Sequence, residues 1–107
     1  MMDKIEKLIE KGNVGKLEKM LAKGNAQEKT AVIEALGRVG NEAAVNLLIA
    51  NLRSADPQIK KDSVVALGQT KAHRAMEFLR KITRDEPDTE ITELAREAMH
   101  KLAASKG

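Results

Sequence analysis

The sequence repeats itself at an interval of 31 residues, and this periodicity constrains the fold more than any other feature. The tripeptide Ala-Leu-Gly at 35–37 returns at 66–68, and the residues around it return with it. A period of about 20–50 residues is typical of proteins built by stacking similar units. Equivalent positions in successive cycles are Leu17, Leu48 and Leu79, and, with one inserted residue in the third cycle, Ala35, Ala66 and Ala98.

Composition limits the kind of core and the kind of chemistry. Phe78 is the only aromatic residue among 107, so the core is predicted to be aliphatic and stacking platforms for bases or sugars are lacking. The absence of cysteine excludes disulfides, thiolate metal sites and cysteine nucleophiles. No apolar run approaches the ~18 residues of a membrane span, and residues 1–11 lack the apolar region of a signal peptide. We therefore expect a cytoplasmic protein that does not enter membranes.

Local signals are helical throughout the chain. Asn25 followed by Glu28 fits a capping box, and Asp56 before Pro57 places a cap before a proline at the first helical position. Pro87 is expected to play the same part for the last helix. Five glycines are interpreted as helix stops: Gly12, Gly24, Gly37, Gly40 and Gly68. The predicted helices are 3–11, 14–23, 26–37, 42–53, 57–68, 72–83 and 88–104.

The links between these helices are short, so consecutive helices should form antiparallel hairpins. A hairpin of this size cannot bury its own apolar face, and neighbouring hairpins must stack. The predicted fold is all-α: a right-handed α-α superhelix, or α-solenoid, of about seven antiparallel helices in one domain spanning 1–107. Its units are predicted as 3–23, 26–53 and 57–83, with a terminal helix at 88–104. We call the helices that open each unit, and the terminal helix, the first helices; the others are the second helices.

The segment 56–68, running from an acidic turn to Ala-Leu-Gly, resembles the repeat of the HEAT-like family. The closest resemblance is to the short subtype that is also seen in phycobilisome lyases. Lys60 stands where that family usually has arginine, and His100 replaces the glycine of the last cycle. The resemblance implies an α-solenoid whose second helices line the concave side, and it implies binding of other macromolecules more often than catalysis.

Catalytic and metal-binding patterns are weak. His73 and His100 are the only histidines, and neither is followed by the glutamate that HEAT-like hydroxylases use to hold iron. Glu77 lies one turn after His73, but a metal site needs more ligands than this pair supplies. The acidic run around Asp85 precedes a helix, where capping explains it. We predict no enzyme activity, no cofactor and no metal, with a lyase-like accessory protein as a distant alternative.

Charge separates the two sets of helices. The formal net charge is +3, and the excess positive charge lies on the second helices. We predict a non-catalytic scaffold or protein-binding module for an unidentified, acidic protein partner, acting as a monomer or weak dimer. The alternative is a nucleic-acid-binding protein that contacts phosphates without base readout. The candidate binding residues are Lys16, Lys19, Lys23, Arg53, Arg74, Arg80, Lys81 and Arg84.

Overall fold

The computed structural model describes residues 2–105, with the side chains of residues 4–105. Within this range the chain forms seven α-helices, one short 3-10 helix and no strand. The α-helices are α1 (Met2–Lys11), α2 (Val14–Lys23), α3 (Ala26–Val39), α4 (Glu42–Asn51), α5 (Pro57–Gln69), α6 (Met76–Asp85) and α7 (Thr89–Ala104). The predicted all-α, solenoid-type fold is confirmed. One predicted helix, 72–83, divides into a 3-10 turn at His73–Ala75 and α6.

Side-chain caps set most helix starts. The Asn25 side chain accepts from the Glu28 backbone at 2.9 Å, and the Glu28 carboxylate accepts from the Asn25 backbone at 3.0 Å, which confirms the capping box. Asp56 caps α5 ahead of Pro57, also as predicted. The role predicted for Pro87 is wrong, because α7 begins at Thr89 and the cap is the Asp88 carboxylate, which accepts from two backbone amides.

The helices form two layers. The first helices α1, α3, α5 and α7 pack side by side in one layer, and the second helices α2, α4 and α6 lie in the other. Between the layers runs one continuous aliphatic core, as the composition predicted. Its largest fully buried side chains include Leu17, Ile33, Leu36, Leu48, Leu67, Leu79 and Leu102.

Two of the five glycines interpreted as helix stops have another role. Gly12 and Gly40 do end helices, with φ of 62° and 60°, and Gly24 caps α2. Gly37 and Gly68 instead lie inside α3 and α5 and are buried. A Cβ on Gly37 would meet the Ala66 carbonyl oxygen at 3.0 Å, and one on Gly68 would meet the Ala98 Cα at 2.9 Å. The repeated glycine therefore allows each first helix to approach the next almost backbone to backbone.

The two layers differ in how closely their helices approach. The contacts α3–α5 and α5–α7 are extensive, whereas α4 and α6 barely touch. We use the name outer layer for the layer of second helices, which is the more open of the two. That the second helices line a concave side stays a prediction.

Ser63 is the one serine of the core, and its hydroxyl has no hydrogen-bond partner among the described residues. The equivalent positions hold Val32 and Ala95, both buried. An unsatisfied buried hydroxyl costs about 1 kcal/mol or more, so Ser63→Ala should raise the free energy of unfolding by about 1 kcal/mol. Urea titration followed by circular dichroism measures this. Ser54→Ala is the control: that hydroxyl accepts from the Asp56 backbone amide at 3.1 Å, and its loss should give no gain.

Candidate functional site

Polar groups on the first helices satisfy one another across the units. Arg38 pairs with Glu6 at 2.7 Å, joining α3 to α1, and this hydrogen bond holds the pKa of the Glu6 carboxyl below its usual value. Thr30 donates to Asp62 at 2.9 Å, and Lys61 pairs with Glu90. These contacts join neighbouring units. In the layer of first helices, several polar groups therefore bond across neighbouring units.

Cations on the second helices are mostly unpaired. Among the described residues, six of the eight predicted binding residues make no ion pair: Lys16, Lys19, Lys23, Arg53, Arg74 and Lys81. Arg74 lies in the 3-10 turn before α6 and donates to the Asn46 side chain at 2.6 Å, so it links this turn to α4. Arg80 pairs with Glu77 at 3.0 Å and Arg84 with Asp85 at 3.4 Å. The outer layer thus keeps positive charge available for an external anion.

The structure divides the predicted basic residues into two groups. Lys19 and Lys23 face an open hollow of about 430 Å³ together with Lys4 at the α2 edge. Arg53, Lys81 and Arg84 lie around a larger groove between α4 and α6. Between the two groups stands α4, which contains no lysine or arginine. The basic residues therefore form two separate groups rather than one continuous stripe.

The helix α4 is mainly apolar, with Glu42, Asn46 and Asn51 as its polar residues. Its inward side chains Val45 and Leu48 are buried, while Leu47 is half-buried. The outward side of α4 combines the small apolar side chains of Ala43 and Ala50 with the exposed Glu42 and Asn46, and it lies between two basic helices.

The groove between α4 and α6 has a volume of about 660 Å³, and its lining is partly apolar and partly charged. Ile49 and Ala50 contribute from α4, and Phe78 and Ile82 contribute from α6. Phe78 is 42% exposed, so the only aromatic ring of the sequence is largely open to solvent. Large, rigid aromatic side chains are the residues that most often anchor protein interfaces. The groove combines this ring with an aliphatic wall and a charged rim.

The carboxylates around the groove already have partners. Glu77 and Asp85 pair with Arg80 and Arg84 of their own helix. Glu86 accepts from the Lys60 ammonium at 2.7 Å and from the Asp88 backbone amide at 3.2 Å. These hydrogen bonds hold the pKa of the Glu86 carboxyl below its usual value. Lys60, in the position where the related repeats usually have arginine, therefore serves to fasten the turn before α7.

The sequence interpretation missed the apolar half of this surface. On α6, Leu79 is buried and Ile82 is half-buried, and Phe78 falls outside this inward spacing, which is a readable sign of its exposure. The mainly apolar sequence of α4 is a second readable sign. The groove itself could not be anticipated, because the distance between two helices that are not consecutive is not encoded in either helix alone.

Other chemistry finds little support. Among the side chains of residues 4–105, no three of the metal-binding types lie together. His73 is exposed, with its Nε2 atom 3.2 Å from the Ser105 carbonyl oxygen, and His100 is exposed on α7. None of the helices in the described part of the chain is both long and apolar enough to cross a membrane.

Comparison with known proteins agrees with the architecture. Among curated proteins no match is found, and none among solved structures. The sequence model of HEAT repeats matches residues 14–100, which is most of the chain and takes in the six helices from α2 to α7. The matched region includes both Ala-Leu-Gly tripeptides and the tightly packed glycines. The chain therefore belongs to the HEAT repeat family.

Proposed function

We propose that this protein is a non-catalytic interaction module that binds another protein through its outer layer of second helices. HEAT repeats generally mediate protein interactions or scaffolding, and the family is typically non-catalytic. The observation that carries the proposal is the outward surface of α4 and α6, where the exposed Phe78 ring and the exposed alanines of the mainly apolar α4 lie beside unpaired cations. A partner that covers this surface would remove apolar area from water, which stabilises the complex by about 25 cal/mol per Å² buried.

The distribution of charge favours an acidic partner protein. The outer layer carries unpaired lysines on α2 and unpaired Arg53 and Lys81 beside α4 and α6. Within the described part of the chain, the layer of first helices also has lysines without an ion pair, but glutamates without an ion pair, among them Glu10, Glu34 and Glu97, lie on the same helices and offset their charge. Complementary charge increases the rate of encounter and suppresses wrong partners. The outer layer is therefore the better surface for a partner that presents carboxylates next to apolar side chains.

Site-specific photo-crosslinking in the source cell tests this proposal. A photoreactive amino acid replaces exposed Ala50 on α4, and in a control protein it replaces exposed Glu97 on α7. We expect a discrete crosslinked protein from position 50, absent from position 97 and lost when unlabelled protein competes. Crosslinking that occurs equally at both positions, or only at 97, would contradict the use of the outer layer.

Binding of nucleic acid is the second candidate, favoured by the unpaired cations of the outer layer. The double substitution Arg80→Glu with Lys81→Glu should abolish the weak retention of the protein on heparin at low salt, because it removes cations that contact the anionic groups of heparin. Both residues are exposed, so the melting temperature should change little. The control is Arg96→Glu with Lys101→Glu on α7, which changes the net charge equally. Column retention against salt concentration is the measurement, and retention of duplex DNA above physiological salt would favour nucleic acid over protein.

A further inference from the structure

We propose that the groove between α4 and α6 receives an acidic peptide segment of the partner protein, with apolar side chains inserted against Phe78 and carboxylates bound by Arg53 and Lys81. The inference deepens the proposed function, on which it rests, by naming the site and the chemistry of its occupant. It follows from the shape of the groove, from which of its charged groups already have ion-pair partners, and from the poorer fit of other occupants.

The apolar part of the groove fits inserted side chains. Ile49 and Ile82 are half-buried and pack against the core, so they form a firm wall, and the Phe78 ring stands partly free beside them. Because α4 and α6 barely touch, nothing within the described chain fills the space of about 660 Å³ between them. An amphipathic segment that lays its apolar side into a groove of this kind is a common form of peptide recognition.

The charged part of the groove selects for anions. Its carboxylates Glu77, Asp85 and Glu86 are each bound to a cation of the protein. Its cations Arg53 and Lys81 have no ion-pair partner among the described residues. A carboxylate of the occupant gains a partner without displacing an existing pair, whereas a lysine of the occupant would find every nearby acid already engaged. The occupant is therefore acidic rather than basic.

Two other occupants fit less well. A second copy of this chain, bound through the same surface on both molecules, would bring the unpaired cations of two outer layers together, and like charges repel. A nucleic-acid backbone would meet Arg53 and Lys81 but would leave the apolar wall of Ile49 and Phe78 without an apolar partner. An acidic peptide segment with apolar side chains satisfies both halves of the groove.

Fluorescence anisotropy with synthetic peptides tests the inference. The probe is a labelled peptide in which leucine recurs at helical spacing and glutamate fills the other positions. One comparison peptide replaces glutamate with lysine, and another replaces leucine with serine. We expect the first peptide to bind the wild-type protein and both comparison peptides to bind at least about tenfold more weakly, the change that about 1.4 kcal/mol produces.

Protein variants locate the binding. Arg53→Glu with Lys81→Glu, and separately Phe78→Ala, should each weaken binding at least about tenfold. Lys101→Glu with Arg96→Glu, on the exposed side of α7, should leave it unchanged. Thermal melts of every variant confirm that the fold is kept. Equal binding of the lysine peptide, or equal loss in the α7 variant, would overturn the inference.

The result separates this inference from the function on which it rests. Crosslinking at Ala50 without peptide binding would retain the protein-binding function and reject the acidic segment as occupant. Peptide binding with crosslinking confined to α7 would reject the function and leave the groove chemistry standing. Dimerisation that Phe78→Ala abolishes, seen by sedimentation, would replace the peptide with a second copy of the chain and overturn the inference.

Discussion

Gly68→Leu is expected to lower the free energy of unfolding by about 3 kcal/mol, near the upper end of overpacking effects. Any side chain at this position starts with a Cβ only 2.9 Å from the Ala98 Cα and 3.0 Å from its Cβ. The obstacle is backbone, so the side chain cannot turn away from it and α5 must move apart from α7. Leucine is a good helix former, so the loss cannot be assigned to helix propensity. Urea titration followed by circular dichroism measures the change.

Gly15→Ala is the matched control for this prediction. Gly15 also lies in a helix, but a Cβ there meets nothing nearer than the Asn13 side-chain oxygen at 3.8 Å. Alanine in an open helical position is more stable than glycine by roughly 0.5–1 kcal/mol, so this variant should be as stable as the wild type or more so. A Gly68→Leu protein with wild-type stability would show that α5 and α7 do not lie as close as described.

The second large effect is expected from Leu48→Ala and Leu79→Ala. These are equivalent positions on α4 and α6, and both side chains are completely buried. Removing the buried atoms and leaving a cavity should lower the free energy of unfolding by about 2–5 kcal/mol in each variant. Denaturant titration measures these free energies of unfolding, with the slope of free energy against denaturant concentration expected to be the same in each variant.

The neighbouring Leu47→Ala serves as the control, since that leucine is only half-buried and the same atoms are removed. It should cost clearly less, as should Asn46→Ala, whose exposed side chain accepts from Arg74. Equal losses at 46, 47 and 48 would mean that the inward side of α4 has been assigned wrongly.

The fold could be predicted because its main signals are local and repeated. The spacing of Leu17, Leu48 and Leu79 identified one buried position in each second helix, and all three are fully buried. Asn25 and Asp56 marked helix starts through chemistry that involves only the next few residues. The Gly37 and Gly68 roles were missed, because one sequence does not distinguish a glycine that ends a helix from one that admits a neighbouring backbone.

The candidate site could be predicted only in part. The exposed cations were placed on the second helices from the phase of the apolar residues, and most of them remain unpaired. The spacing between units rests on the contacts of Gly37 with Ala66 and of Gly68 with Ala98. Those contacts join residues about 30 positions apart, so they appear only once the helices are packed. The α4–α6 groove is a product of the same spacing.

The contact of Gly68 with Ala98 also governs how the array could be lengthened by design. The junctions α3–α5 and α5–α7 each have a glycine on the earlier helix, whereas α7 has the exposed His100 at the equivalent position. A unit appended behind α7 would press its backbone against an imidazole, whereas a copy of the unit from Asp56 inserted ahead of α7 would repeat a junction that already has its glycine. Extension from the middle therefore needs no substitution, and extension after α7 needs His100→Gly first.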